Sequence, residues 1–474
     1  MRRDSDRPRI AIVGAGPAGT RAAEVLVAAG LRPVVIDEAA ANGGRIYQRP
    51  PPGFSRTPAM LYGFEAKKAR AVHGAFDRLA GQIDHRPGTL VWNIGQGALD
   101  LMRDGDYDRL AYDRLILATG AMDRVIPLPG WTLPGVTTLG GAQVALKAQG
   151  VGIGQRVAFV GTGPLLFLVA YQYAKAGATV ALVLDTATFA DKASATLGLM
   201  NEPKTFAKGL YYYGWLKSHG VRIVEGAMPR AINGRAIAGE GGVAALAWRD
   251  ARGADRETAC DAVALGWGLK PETQLADLAG VPFAFSERQR GWLPEVDAAG
   301  RTPLGTVYMA GDGVRIGGAD VAELAGARAA LSLIADIGIA VDEAEIARID
   351  RALAREDRFR RAVERAGPFP VALAAGIADE TVLCRCERIT AGELRAAARE
   401  EVRLAAPEVN RAKAFTRVGM GRCQGRVCGP AGAEILAAAL GCPLPEVGRL
   451  RGQAPVKPVP IRADAALVPE AKAS

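Results

Sequence analysis

Four cysteines carry the sharpest chemical signal in this chain. Cys384 and Cys386 stand one residue apart in TVLCRCERIT, and Cys423 and Cys428 have four residues between them in GRCQGRVCG. Two close pairs of thiolates can each grip one iron of a [2Fe–2S] cluster, and thiolate is the soft ligand that such clusters select. A zinc ion, a redox-active disulfide and plain structural thiols are the other uses of this spacing. A C-x-C pair is a tight chelate for one tetrahedral ion, and C-x4-C sits at the wide end of zinc spacings, so iron–sulfur is the favoured reading. Gly421 and Gly425 suit a loop that folds tightly around sulfur. Arg422 and Arg426 either offset a negative cluster or are solvated.

The second signal is a glycine fingerprint, Gly14, Gly16 and Gly19, in IVGAGPAG. Gly14 permits a tight turn, Gly16 lets the backbone approach a pyrophosphate, and Gly19 lets a helix pack close to a strand. Pro17 and Ala18 lie between, at the start of that helix, whose free N–H groups and positive dipole end favour a phosphate. The acidic pair Asp37 and Glu38 closes the next apolar run and would take the ribose hydroxyls. Alignment with the second copy of this pattern favours Glu38, and distance to the later pair Gly43–Gly44 favours Asp37, so both are candidates.

These residues need strand–turn–helix–strand elements to position them, and the chain supplies that pattern twice. RIAIVGAGPAGTRAAEVLVAAGLRPVVIDEA starts at Arg9, and RVAFVGTGPLLFLVAYQYAKAGATVALVLDTA starts at Arg156. Each reads as a βαβ unit. The second copy keeps Gly161 and Gly163 but has Leu166 where the third glycine belongs, although Asp185 ends its second strand as an NAD site would require. Either it binds a nicotinamide nucleotide imperfectly or it is a scaffold that binds none. LILATGA, with Ala118, Thr119 and Gly120, reads as a strand ending in a turn, and TVYMAGDG, with Gly311 and Asp312, reads likewise.

In this order and spacing the chain resembles the two-dinucleotide-binding-domain flavoproteins over about residues 8–335. The resemblance implies an α/β fold, with an FAD-binding domain into which a second Rossmann-like domain is inserted. It makes Asp312 the holder of the FAD ribityl chain and gives FAD contacts to Gly44, Arg45, Ala118, Thr119, Gly120 and Gly311. Many relatives have glutamine at the position of Arg45. CRCERIT with RVGMGRCQGRVCG resembles the bacterioferritin-associated-ferredoxin-like [2Fe–2S] domain, which implies Cys384, Cys386, Cys423 and Cys428 as cluster ligands. The whole layout resembles the flavoprotein subunit of heteromeric amine-oxidising dehydrogenases, among them hydrogen cyanide synthase, opine oxidase and D-hydroxyproline dehydrogenase. DEAAANGGRIY, LPGVTTLGGAQ and APVKPVPI fit that group. This implies an electron-transferring subunit with FAD and a [2Fe–2S] cluster. Its partner would be an FAD-containing, D-amino-acid-oxidase-like catalytic subunit, with a small ferredoxin-like [2Fe–2S] subunit beside it.

The expected organisation is an FAD domain over 1–140 and 270–340, a NAD(P)-binding-like domain over 141–269 and a helical linker over 341–378. A small helical [2Fe–2S] domain follows over 379–445, then a Pro-rich tail over 446–474, either disordered or packed. The chain carries 59 Lys and Arg against 50 Asp and Glu, but the arginines are scattered without interleaved aromatics, which argues against a nucleic-acid partner. Six cysteines in 474 residues do not make a secreted disulfide scaffold. No signal-peptide layout and no clean run of about 18 apolar residues is present. A cytoplasmic protein follows, with at most a peripheral link to the respiratory chain. No catalytic acid, base or nucleophile stands out among His73, His85 and His219; the last sits at a helix end, as a cap. Cys260 reads as a core cysteine and Cys442 as a structural one.

Overall fold

The computed structural model describes residues 8–51, 53–235, 241–402 and 406–460. The apolar run Ile10–Val13 is buried along its whole length, as a parallel strand covered on both faces must be. It is the middle strand of a five-stranded parallel sheet, with Val34–Ile36 and then Asp84–Arg86 on one side and Arg114–Leu117 and then Val307–Met309 on the other. Val307–Met309 returns from far along the chain, so the first domain is discontinuous in sequence. Helices Pro17–Ala28 and Ala319–Asp336 share a core with Ile10 and Ile12. They cross so closely that a Cβ on Gly326 would lie 2.0 Å from the Ala18 carbonyl oxygen.

The second sheet repeats this plan. Its order is Ile223–Glu225, Thr179–Asp185, Arg156–Thr162, Ala262–Trp267 and Val136–Thr138, all parallel. Val136–Thr138 already belongs to it, so the chain enters the second domain ahead of residue 141. The two passages between the domains, Ala121–Asp123 and Leu269–Pro271, pair antiparallel as a short ribbon. Antiparallel three-stranded sheets flank each domain, over Leu90–Ala111 and Met228–Ala259. Cys260 is 2% exposed within the second domain's core. His219 follows helix Pro203–Ser218, with Nδ1 2.8 Å from the Trp215 carbonyl and its ring stacked on Trp215.

Beyond the second pass of the first domain, Asp342 caps a 24-residue helix, Glu343–Ala366. This helix does not hang free as a connector. It packs on helix Phe189–Leu199, where a Cβ on Gly198 would lie 2.6 Å from the Ala362 Cβ. Arg288 of the first domain also grips Asp357 and Glu364 on it. The C-terminal domain is a hairpin, Val382–Cys384 with Ile389–Thr390, followed by helices Ala391–Glu400, Val409–Thr416, Gly429–Leu440 and Leu444–Val447. Thr390 and Glu393 form a capping box that starts the first of these helices. Leu383, Leu394, Val409, Ile435 and Leu436 form its interior. The tail as far as Pro460 lies against the first domain: Val456 is buried there and donates to the Trp92 carbonyl, and Lys457 reaches Glu38. Residues 461–474 of the expected tail lie outside the described residues.

Candidate redox-cofactor sites

At the carboxyl end of Ile10–Val13 the chain makes the turn that the glycines require. Gly14 has φ +111°, and a Cβ there would lie 2.3 Å from the Ala118 carbonyl oxygen. A Cβ on Gly19 would lie 1.8 Å from the Gly14 oxygen, so helix and turn are in backbone contact. Gly16 precedes Pro17 at the first turn of the helix, which suits proline because that N–H has no helical partner. The second glycine loop closes over the first. Gly43 donates to the Ala15 carbonyl at 2.9 Å, and a Cβ on Gly44 would lie 2.9 Å from the Gly16 Cα. Beside it the Asn42 side chain is 4% exposed and its Nδ2 has no partner among the described residues, a donor that a bound ligand would satisfy. The geometry is that of a cradle for a dinucleotide pyrophosphate.

The acidic pair divides its work. The Asp37 carboxylate accepts the Ala15 N–H at 2.6 Å and the Ala39 N–H at 2.7 Å, so it holds the turn together, and burial pushes its pKa up. Glu38 stands at the rim, paired with Lys457 of the tail and with Arg45 at 3.3 Å. Desolvation pushes the Glu38 carboxyl up, but these two cations outweigh it and leave it below its ordinary value. On the other side, Asp312 accepts the N–H groups of Gly317 and Gly318 at 2.8 and 2.9 Å, just before helix Ala319–Asp336. Thr119 Oγ1 donates to the Glu272 carbonyl at 2.6 Å, and Gly120 turns at φ +75°.

The second nucleotide-type turn is surrounded differently from the first. Leu166 is fully buried in the core with Phe159 and Val169. Asp185 is also fully buried and pairs with Lys192 at 2.6 Å. Gly367, at the end of helix Glu343–Ala366, presses on the turn, where a Cβ would lie 3.1 Å from the Gly163 nitrogen.

The four cysteines meet in the C-terminal domain. The Cys428 thiol contacts both Cys384 and Cys423, and Cys423 also contacts Cys386. The hydrogen bond from Cys428 is the main cause that draws Cys384 down to about 6 and Cys423 down to about 5. Backbone N–H groups of Gly419, Glu387 and Cys386 serve the Cys384 sulfur, and those of Val427 and Gly425 serve Cys423. Such loops need backbone that few side chains allow: Gly419, Gly425, Gln424, Arg388 and Arg417 all have positive φ. A Cβ on Gly421 would lie 2.3 Å from the Cys386 Cβ. Converging sulfurs ringed by backbone donors fit an anionic iron–sulfur cluster. Among the described residues, no three His, Cys, Asp or Glu side chains form a ready cage for a single metal ion. Cys442 lies apart from the four. Arg422 is exposed, whereas Arg426 pairs with Glu272 at 2.7 Å.

Two residues of these sites were invisible to motif reading. Glu272 belongs to no motif, and only folding brings it between Gly120 and Arg426. Lys147 sits in an ordinary-looking helix, Leu139–Ala148, yet it is 3% exposed and donates to the Ile46 carbonyl of the first domain at 3.2 Å. Burial pushes its pKa from 10.5 down to about 8. Between those values the unfolded chain holds a proton that the folded one has released, so stability rises with pH across that window and falls as pH drops toward 8. Unfolding free energy by denaturant should rise by about 3 kcal/mol from pH 8 to 10.5 relative to Lys147→Met, which lacks the titrating group.

Residues 8–327 match the family model for pyridine nucleotide-disulphide oxidoreductases, and residues 382–438 match that for the BFD-like [2Fe-2S] binding domain. The chain is similar to an opine oxidase subunit of Agrobacterium tumefaciens, 35% identical over 96% of this chain and 91% of that one. It is similar to hydrogen cyanide synthase subunit HcnB of Pseudomonas aeruginosa, 35% identical over 96% and 98%. Among solved structures, L-proline dehydrogenase from P. horikoshii has the same fold, with a TM-score of 0.67 at 19% identity, covering 96% of this chain and 78% of that one.

Proposed function

The chain belongs to the pyridine nucleotide-disulphide oxidoreductase family and carries a BFD-like [2Fe-2S] binding domain, and from this we propose that it is the electron-transferring subunit of a hetero-oligomeric amino-acid or opine dehydrogenase. It is an FAD-dependent oxidoreductase that also holds a [2Fe–2S] cluster. In this reading the amine is oxidised on the FAD of a partner subunit, and a small ferredoxin-like subunit completes the complex. The observation that carries the reading is the altered second nucleotide turn. Leu166 in place of the third glycine, Asp185 committed to Lys192 and Gly367 packed against Gly163 make that turn a poor site for a nicotinamide hydride donor, which supports electrons reaching the flavin from elsewhere. The relatives' names as subunits support a partner, as do exposed apolar side chains such as Phe64, Phe189 and Leu197, at 52%, 76% and 89%.

The roles in this reading are these. Gly14, Gly16 and Gly19, with Pro17 and Ala18, take the FAD pyrophosphate at the helix start. Asp37 holds the turn and Glu38 takes the ribose hydroxyls. Gly44, Arg45, Ala118, Thr119, Gly120 and Gly311 line the cofactor, and Asp312 takes the ribityl chain. Cys384, Cys386, Cys423 and Cys428 hold the irons. FAD, when bound, converts a two-electron load into single electrons, and the cluster carries them singly. The complex would work in the cytoplasm, linked to the respiratory chain only at its periphery; no helix among the described residues is long and apolar enough to cross a membrane.

Co-expression with an FAD-containing, D-amino-acid-oxidase-like subunit should yield a stable complex in which amine oxidation needs the partner. Full-rate amine oxidation by the isolated chain would refute the division of labour. A second reading, a self-sufficient NAD(P)H oxidoreductase, draws on the retained Gly161–Gly163 turn that opens helix Pro164–Lys175. NADH should leave the flavin of the isolated chain oxidised; rapid bleaching would establish the second reading instead.

A further inference from the structure

The first domain and the cysteine domain are tied at several points, one of which links their two cofactor loops. Glu272 lies just after the ribbon strand Leu269–Pro271. Its backbone faces the first loop: its N–H donates to the Gly120 carbonyl at 2.9 Å, and its carbonyl accepts from Thr119 Oγ1 at 2.6 Å. Its side chain faces the second loop, with Oε2 2.7 Å from Arg426 Nε. Arg426 stands between Cys423 and Cys428, and the side chains of the pair are only 10% and 19% exposed. Gln274 adds a second tie, donating from Nε2 to the Gln424 carbonyl at 2.7 Å, while its N–H bonds to Glu272 Oε1 at 3.2 Å. Arg426 also donates to the Val456 carbonyl at 2.5 Å, which locks the tail into the same junction.

We propose that the segment Glu272–Gln274 is an intrachain electron bridge, holding the flavin loop at Thr119–Gly120 and the cluster loop at Gln424–Cys428 at one fixed separation, with Glu272 and Arg426 as positioning residues. Two observations set it apart from ordinary domain packing. The bonds to Thr119 and Gly120 are made by the backbone of Glu272, and that same residue's side chain makes one of the two ties on the cluster side, the other coming from Gln274. Both ends fall on residues next to cofactor-holding positions. A largely buried ion pair contributes little net stability, because desolvation offsets its attraction, but it fixes geometry. Electron transfer falls off steeply with separation, so a fixed junction is where such a pair has its effect. In each step one electron leaves the reduced flavin and one reduces the oxidised cluster, which then gives it to the external acceptor. No bond is made or broken at the bridge.

This inference rests on the electron-transferring reading above, and its test separates the two. The full chain, loaded with FAD and cluster, receives a flash of photoreduced deazaflavin that puts one electron on the flavin, and the flavin and cluster absorbances are followed. In the wild type the electron should pass to the cluster at a first-order rate that does not depend on protein concentration. A rate that scales with concentration overturns intrachain transfer and with it the electron order of the proposed function. Glu272→Ala should slow the step roughly tenfold or more, with iron and flavin content, cluster EPR signal and both midpoint potentials unchanged. Glu272→Gln, which still accepts from Arg426, should stay closer to wild type than Glu272→Ala. Wild-type rates in Glu272→Ala, or a slower step in Glu272→Gln than in Glu272→Ala, overturn the bridge and leave the proposed function standing. If Glu272→Ala does not fold, Gln274→Leu, which cuts only the tie to Gln424, decides the matter by the same slowing or its absence.

Discussion

Cys428→Ser should remove the iron–sulfur cluster and leave the flavin bound. Cys428 is 1% exposed and its thiol contacts both Cys384 and Cys423, so it is the hub of the four sulfurs. A serine oxygen is a harder donor on a shorter bond, and it stays protonated where a thiol ionises, so iron loses a ligand it selects for. The backbone has little reason to object. Cys428 opens helix Gly429–Leu440 with a helical backbone that serine adopts as readily as cysteine. Burial of the new hydroxyl costs about 1–3 kcal/mol, which a chain with two large domain cores withstands. Iron and acid-labile sulfide per chain should fall roughly tenfold or more, while flavin released on denaturation stays at wild-type stoichiometry. Cys442→Ser is the control: that residue is only half-buried and lies apart from the four, so its iron content should not change. Full iron retention in Cys428→Ser, or parallel loss of flavin, would refute the assignment.

Gly19→Ala should have the larger effect on the first domain. The added Cβ would lie 1.8 Å from the Gly14 oxygen, 2.9 Å from the Gly14 carbon and 3.4 Å from Ile12 Cγ2. Two of those three neighbours are backbone, which has no rotamer to retreat into. Helix Pro17–Ala28 would have to lift off the strand, and its far side is already in contact with helix Ala319–Asp336 at Gly326. Overpacking of this kind costs about 3 kcal/mol or more, and the pyrophosphate cradle opens with it. Thermal unfolding should move sharply down and the purified chain should carry no flavin. Gly16→Ala separates stability from binding. Gly16 has φ −75°, and a Cβ there would meet Gly44 Cα at 3.6 Å, an ordinary contact. The fold should tolerate it, and loss of flavin without loss of stability would report the pyrophosphate's own need for that space.

Local chemistry made much of this protein legible in the chain alone. Apolar runs of strand length, glycines at fixed offsets and acidic residues at strand ends are short-range signals, and a βαβ unit is a short-range object, so both copies and their turns could be read directly. The two cysteine pairs were legible for the same reason, since each pair is held within one loop. What the sequence left open were questions about which groups meet across the fold. Asp37 and Glu38 are adjacent and chemically alike. Only the position of the Ala15 and Ala39 N–H groups makes one a turn holder, and only Lys457, arriving from the far end of the chain, fixes the other at the rim. The absent third glycine at Leu166 hinted that the second nucleotide turn was altered. That Gly367 presses on it depends on packing of a helix that no local pattern encodes. Arg426 read equally well as solvated or as a counter-charge. Tertiary structure makes it neither, because Glu272 is brought against it from the other domain. Sequence alone therefore determined which cofactor-type loops the chain contains, because their geometry is written in residues a few positions apart. Tertiary structure alone decided which loops are pressed upon and which are joined, because the deciding contacts, Gly367 on Gly163 and Glu272 between Thr119 and Arg426, link residues more than a hundred positions apart.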